Sequence, residues 1–98
     1  MRVVNPEAKT TDLTGCVMPW SDNRPLFVRI EGRYFIPIFS SPGKLHAQMQ
    51  QMQVQDYVIK QITDGNDFLA GLTEQGVPVA LDPHRENGKV RFHLCVPP

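Results

Sequence analysis

Three side chains near the C-terminus are of the types that bind transition metals. His93 and Cys95 are two positions apart in a predicted strand, so both lie on one face of it, and His84 precedes that strand. A structural zinc site needs four ligands, and no Asp or Glu is spaced to complete this set. The sequence therefore predicts surface histidines and a half-buried cysteine, with no metal and no cofactor.

Cys16 and Cys95 are the only cysteines. A disulfide between them would close almost the whole chain, whereas a reducing cytosol would leave two free thiols, and we expect the free thiols. Neither cysteine lies in a known nucleophile motif, and the chain has no C-x-x-C, G-x-S-x-G, P-loop or G-x-G-x-x-G pattern. These observations indicate no catalytic machinery.

A small-ligand site is the other chemical hypothesis, because polar residues follow the predicted strands 34–39, 57–62 and 77–81. If these strands are mutually parallel, the segments after them meet at one edge, where open parallel sheets bind ligands. Two helix N-termini would point there, so a carboxylate or a phosphate is the expected ligand. The alternative is that these residues are caps and turn residues. The residues concerned are Ser41, Asp64, Asn66, His84 and Arg85.

The strands that must position these residues follow from residue type and alternation. We predict strands at 26–30, 33–39, 57–62, 77–81 and 90–96, with a hairpin between the first two and a turn-rich loop at 82–88. With two helices the order is ββαβαββ. This order predicts an α/β fold, a single small domain with a mixed sheet and two helices packed against it.

The two helices are predicted from their caps and their apolar faces. Ser41 is the expected N-cap of the first helix, in which Met49 and Met52 share an apolar face. Asp64 is the expected N-cap of the second helix, and Gly76 follows its end.

Protein contacts are predicted at three places. Residues 1–25 are expected to be a mostly irregular lead-in on a domain formed by 26–98, and Trp20 either packs onto that domain or anchors a partner. Met49 and Met52 either belong to the core or receive a partner. An unpaired strand edge at 90–96 would be a further route to a homodimer.

The balance of charges limits the kinds of partner that the protein is expected to bind. Lys plus Arg and Asp plus Glu are 10 each, so the net charge is zero, which argues against nucleic-acid and anionic-membrane partners. No apolar run approaches the roughly 18 residues of a membrane span, and the N-terminus lacks the apolar region of a signal peptide. We therefore expect a cytoplasmic protein.

Three stretches resemble the N-terminal domain of the enhanced-serine-sensitivity (SseB-like) family over about residues 33–85. They are YFIPIFSS at 34–41, DFLAGL at 67–72 and GVPVALDP at 76–83. Ser40 stands where that family usually has Thr, and Asp82 where it usually has Asn. The resemblance implies an α/β domain that acts as an interaction or regulatory module, and it supplies no catalytic residue.

Two functions remain open from the sequence. The first is a small binding or regulatory module that acts through protein contacts, with a protein partner or a second copy of the chain. The alternative is a small anionic-ligand binder, or an enzyme, that uses the loops at the carboxyl ends of the parallel strands.

Overall fold

Two sheets of unequal size hold the chain together. The computed structural model describes residues 9–10 and 12–96, and it confirms an α/β fold with two helices. The strands are β1 (Lys9–Thr10), β2 (Val17–Ser21), β3 (Arg24–Pro25), β4 (Val28–Ile30), β5 (Arg33–Ile38), β6 (Val58–Gln61), β7 (Val79–Glu86) and β8 (Lys89–Val96). The helices are α1 (Pro42–Gln51) and α2 (Gly65–Glu74).

The larger sheet has the order β1-β8-β7-β5-β4 and is mixed, as predicted. Strand β5 pairs parallel to β7 and antiparallel to β4. Its residues from Phe35 to Ile38 are buried, because apolar clusters cover both faces of the sheet. Pro37 is compatible with β5 although it has no backbone N–H. The N–H of Ile36 donates to the carbonyl of Pro78, so the backbone nitrogen of Pro37 lies on the side of β5 away from β7. The pairing with β4 ends before Pro37, so no ladder hydrogen bond is lost there.

The smaller sheet, β3-β2-β6, corrects the expectation that 57–62 joins the parallel set. Strand β6 pairs antiparallel to β2, from Val17↔Gln61 to Trp20↔Val58. The segment 17–25, predicted to be irregular, forms β2 and β3 instead. Asp22 and Asn23 join them with φ of 53° and 62°, which Asp and Asn adopt more readily than most residues. The partner of β6 lies some forty residues earlier, so no local pattern identified it.

Strand β7 runs through the segment predicted to be a loop. Asn87 and Gly88, with φ of 52° and 78°, close a two-residue hairpin that continues directly into β8. Asp82 and Pro83 together oppose Phe92 alone, so β7 contains a bulge at the point where its register shifts. The strand edge predicted at 90–96 is covered only at its end, because β1 pairs with β8 at Cys95 and Val96 alone, and the described residues place no strand beside residues 90–94 on the side away from β7.

The core draws on both sheets and on the segment before residue 26. Leu13 and Met18 are buried with Ile36, Ile38 and Leu69 in the largest cluster. A second cluster is centred on Phe35 and Phe92, whose ring centroids are 5.1 Å apart. A third contains Val17, Phe39, Leu45 and Met49 and seats α1. Among the described residues, no helix is both long and apolar enough to cross a membrane.

Candidate functional site

The bulge in β7 connects that strand to the start of α1. Asp82 has a φ of 52°, and its carboxylate accepts hydrogen bonds from the backbone N–H of Ser40 at 2.8 Å and from its hydroxyl at 2.9 Å. Lys44 Nζ lies 3.4 Å from the same carboxylate. Ser41 caps α1 as predicted, since its hydroxyl accepts from the N–H of Lys44 at 3.3 Å. Asp82 is thus a structural link between β7 and the start of α1, whereas its sequence context predicted only a turn residue.

A cleft of about 470 Å³ opens between α1 and the adjoining parts of β7 and β8. We call it the α1–β7 cleft. Its apolar lining comes from Phe39, Ala47 and Pro83, and its polar lining from Lys44, Gln48, Gln51, Asp82, His84, Arg85 and His93. Its volume falls within the range of small-molecule sites, and cationic groups outnumber the single carboxylate.

The basic side chains of the cleft differ in how they are held. The Nδ1 of His84 lies 3.0 Å from the carbonyl of Asp82, so Nδ1 carries a proton, and its Nε2 lies 3.5 Å from the Glu86 carboxylate. Lys44 is engaged with Asp82. The guanidinium of Arg85 is exposed and makes no ion pair with the described residues.

The predicted ligand site is divided between two places. His84 and Arg85 line the α1–β7 cleft, and Ser41 caps the helix beside it. Asp64 and Asn66 lie at the start of α2, where the N–H of Gly65 bonds the Thr14 hydroxyl. They are separated from the others because β6, which precedes them, left the parallel sheet. Asp64 accepts from the N–H of Asp67 at 3.0 Å, which confirms the predicted cap.

A second hollow, of about 300 Å³, lies beside β6 at the start of α2. We call it the β6–α2 hollow. Trp20 and Phe68 are half-buried in its wall, and Asp64 and Asp67 lie at its rim. Lys60 Nζ stands 4.4 Å above the Trp20 ring, a cation–π contact. The indole N–H of Trp20 is buried without a hydrogen-bond partner.

Strand β6 is one of the two edge strands of the smaller sheet, and β3 is the other. The N–H of Ile62 bonds Cys16, so in the alternating antiparallel ladder residues 58, 60 and 62 face β2. The N–H and C=O groups of Ile59 and Gln61 therefore point outward, and the described chain places no strand beside them. Val58 is 58% exposed and Ile59 is 37% exposed. Sequence periodicity alone could not identify this edge, because it depends on which strands pair.

The two methionines and the two cysteines singled out in the sequence lie outside both the α1–β7 cleft and the β6–α2 hollow. Met49 lies on the buried face of α1 and belongs to the core, whereas Met52 is exposed just after the helix. Cys16 and Cys95 are free thiols in this structure. Burial raises the pKa of Cys95 to about 11, and it also raises the pKa of Cys16, with a smaller contribution from Asp82. Among the described residues, no three His, Cys, Asp or Glu side chains are grouped to hold a metal ion.

Comparisons with known proteins identified no similar protein. The chain matches no protein-family model, no curated protein and no solved structure. The resemblance to the SseB-like family therefore stays a prediction, and the function has to be argued from concave surfaces such as the α1–β7 cleft and the β6–α2 hollow, and from the β6 edge.

Proposed function

We propose that the protein is a non-catalytic interaction module of the cytoplasm that binds an extended segment of a partner protein along β6. The observation that carries the proposal is the free edge of β6. Outward backbone groups on Ile59 and Gln61 offer two donors and two acceptors at the spacing that an added strand uses. The SseB-like resemblance, which implies an interaction module, points the same way.

The surroundings of β6 fit such a strand. Natural edge strands are commonly blunted by proline or by charges that point outward, and β6 contains no proline. Its single charge, Lys60, is held over the Trp20 ring, which leaves Val58 and Ile59 as the exposed apolar side chains.

The β6–α2 hollow indicates the chemistry of the partner. Val58 and Lys60 share a face with Trp20, because Val58 pairs directly with Trp20 and Lys60 lies two residues further along the same strand. An added strand would direct alternate side chains to this face, where Trp20 and Phe68 offer an apolar wall. Asp64 and Asp67 at the rim favour a basic residue beside the apolar one. The expected partner is therefore an extended segment that combines an apolar and a basic residue.

The test is selection of short random peptides displayed on phage, followed by affinity measurement for the selected peptides. Ile59→Pro removes an outward N–H without touching the β2 ladder, and Pro19 already occupies the opposite position on β2. We expect Ile59→Pro to weaken binding about tenfold or more, and the control Ile59→Thr, which keeps the N–H, to weaken it much less. Far-ultraviolet circular dichroism checks that both variants fold.

Two results would overturn the proposal. One is equal affinity of Ile59→Pro and wild type for the selected peptides. The other is a dimer in light scattering whose Gln61 amide is protected from hydrogen exchange in a concentration-dependent way. That second result would assign the edge to another copy of this chain.

A further inference from the structure

The α1–β7 cleft carries an inference that is independent of the β6 edge. We propose that this cleft binds a small carboxylic acid with an apolar body, its carboxylate held by Arg85. Neither the comparisons nor the proposed protein contact assigns a ligand to it.

The charges of the cleft indicate an anion. Asp82, the only carboxylate in the lining, is already satisfied by two hydrogen bonds from Ser40 and by Lys44. Lys44 is in turn occupied by Asp82. Arg85 is left as a permanent cation with no ion pair among the described residues, and its planar fork matches the two oxygens of a carboxylate.

The same charges favour a single negative charge over a double one. One uncommitted guanidinium balances a carboxylate, whereas a phosphate dianion would keep an excess charge close to the Asp82 carboxylate. The imidazole of His84 does not remove this excess, because Glu86 lies 3.5 Å from its Nε2. Inorganic phosphate should therefore bind more weakly than a carboxylate of suitable shape.

The apolar part of the ligand is indicated by the opposite wall. Phe39 and Pro83 are buried residues that line the cleft, and Ala47 on the exposed side of α1 adds a small methyl group. Gln48 and Gln51 border this wall with amide groups that both donate and accept. A volume of about 470 Å³ holds a ring or a short alkyl chain together with its carboxylate.

The test is a titration of nitrogen-15-labelled protein with phenylacetate, hexanoate, neutral phenylacetamide and inorganic phosphate, followed by amide chemical shifts. We expect saturable shifts at Ala47 and Arg85 with at least one carboxylate. We expect binding weaker by about tenfold with phenylacetamide and with phosphate.

Two pairs of variants make the test specific. Arg85→Gln should weaken carboxylate binding about tenfold, whereas Arg29→Gln, on β4 and outside the cleft lining, should leave it unchanged. Ala47→Phe should fill the cleft and abolish binding, whereas Ala70→Phe, at an exposed position of α2, should not.

Three outcomes would overturn the proposal. The first is that neither carboxylate shifts the cleft amides. The second is that Arg85→Gln binds as the wild type does. The third is that phosphate binds as tightly as phenylacetate, which would leave the apolar wall without a role.

Discussion

Gly65 begins α2 where the helix lies directly against the chain before β2. A methyl group added at Gly65 would lie 2.4 Å from the backbone nitrogen of Thr14 and 2.6 Å from that of Leu13. The N–H of Gly65 also donates to the Thr14 hydroxyl at 2.9 Å. In Gly65→Ala, α2 must therefore move by about 1 Å to restore ordinary contact, which begins near 3.4 Å.

Gly71, in the same helix, is a matched control. Nothing lies within 4 Å of a methyl group added there. Gly71→Ala should raise the free energy of unfolding by about 0.5–1 kcal/mol, because alanine favours the helix and restricts the unfolded chain. The two substitutions are chemically identical, so any difference between them reports the packing of α2 against Leu13 and Thr14.

The expected loss in Gly65→Ala has two parts. Overpacking against backbone costs about 1–3 kcal/mol, and the hydrogen bond to Thr14 contributes about 1 kcal/mol. Part of this is offset by the higher helix propensity of alanine, so we expect a net loss of about 2–3 kcal/mol. Thr14→Val removes the acceptor without the clash and should cost about 1 kcal/mol.

Urea unfolding followed by the fluorescence of Trp20, the only tryptophan, measures these changes. The midpoint should fall by about 2–3 M in Gly65→Ala at an unchanged m-value near 1 kcal/mol/M, and it should rise by up to about 1 M in Gly71→Ala. The melting temperature should fall by roughly 10–20 °C in Gly65→Ala. Stability changes of the same sign and size in both variants would refute the placement of α2 on residues 13–14.

Three further predictions concern the caps, the bulge and the buried thiol. Ser41→Ala and Asp64→Ala should each lower the free energy of unfolding by about 1 kcal/mol in urea titrations, because each removes a helix N-cap, and unchanged midpoints would contradict the cap assignment. Asp82→Ala should lower the free energy of unfolding by about 2–3 kcal/mol, because Ser40 loses its acceptor and alanine is strained at a φ of 52°. Asp82→Asn should lower it by only about 1 kcal/mol, and equal losses in the two variants would contradict both reasons. The folded-state pKa of Cys95, about 11, exceeds its ordinary value of 9.0, so its contribution to stability is intact below pH 9 and is lost as the pH rises toward 11, on the order of 2 kcal/mol. Cys95→Ala should flatten this decline in denaturation midpoints measured between pH 8 and 11, and an unchanged slope would contradict the assignment to Cys95.

Local signals were sufficient for the caps and for the central strand. A serine or an aspartate before a run of periodically spaced apolar residues identified both helix starts. Each cap accepts a hydrogen bond from the backbone N–H three residues later, so the cap depends only on residues within one turn. The apolar character of both faces of β5 identified it as an internal strand, because only a strand covered on both sides buries Phe35 together with Ile36. The Glu31-Gly32 turn has positive φ at both residues, as the predicted hairpin requires.

Two hairpin turns lie inside segments that the sequence predicted to lack strands. Asn87-Gly88 has the positive φ of a two-residue hairpin turn and joins β7 to β8 within the segment predicted to be a turn-rich loop. Asp22-Asn23 similarly joins β2 to β3 within a segment whose prolines suggested irregular chain. In both places proline was compatible with a strand, because it fell where no ladder N–H was needed.

The sequence by itself determined the α/β class, the two helix caps, the apolar strand β5 and the absence of an excess charge, because each depends on residue type or on neighbours within a few positions. Only the tertiary structure decided that β6 pairs with β2, since pairing between segments about forty residues apart depends on how all the apolar faces are buried together. That pairing moved Asp64 and Asn66 away from Arg85 and left Ile59 and Gln61 at a free edge. The bulge at Asp82 likewise formed the α1–β7 cleft by linking β7 to the start of α1 through Ser40.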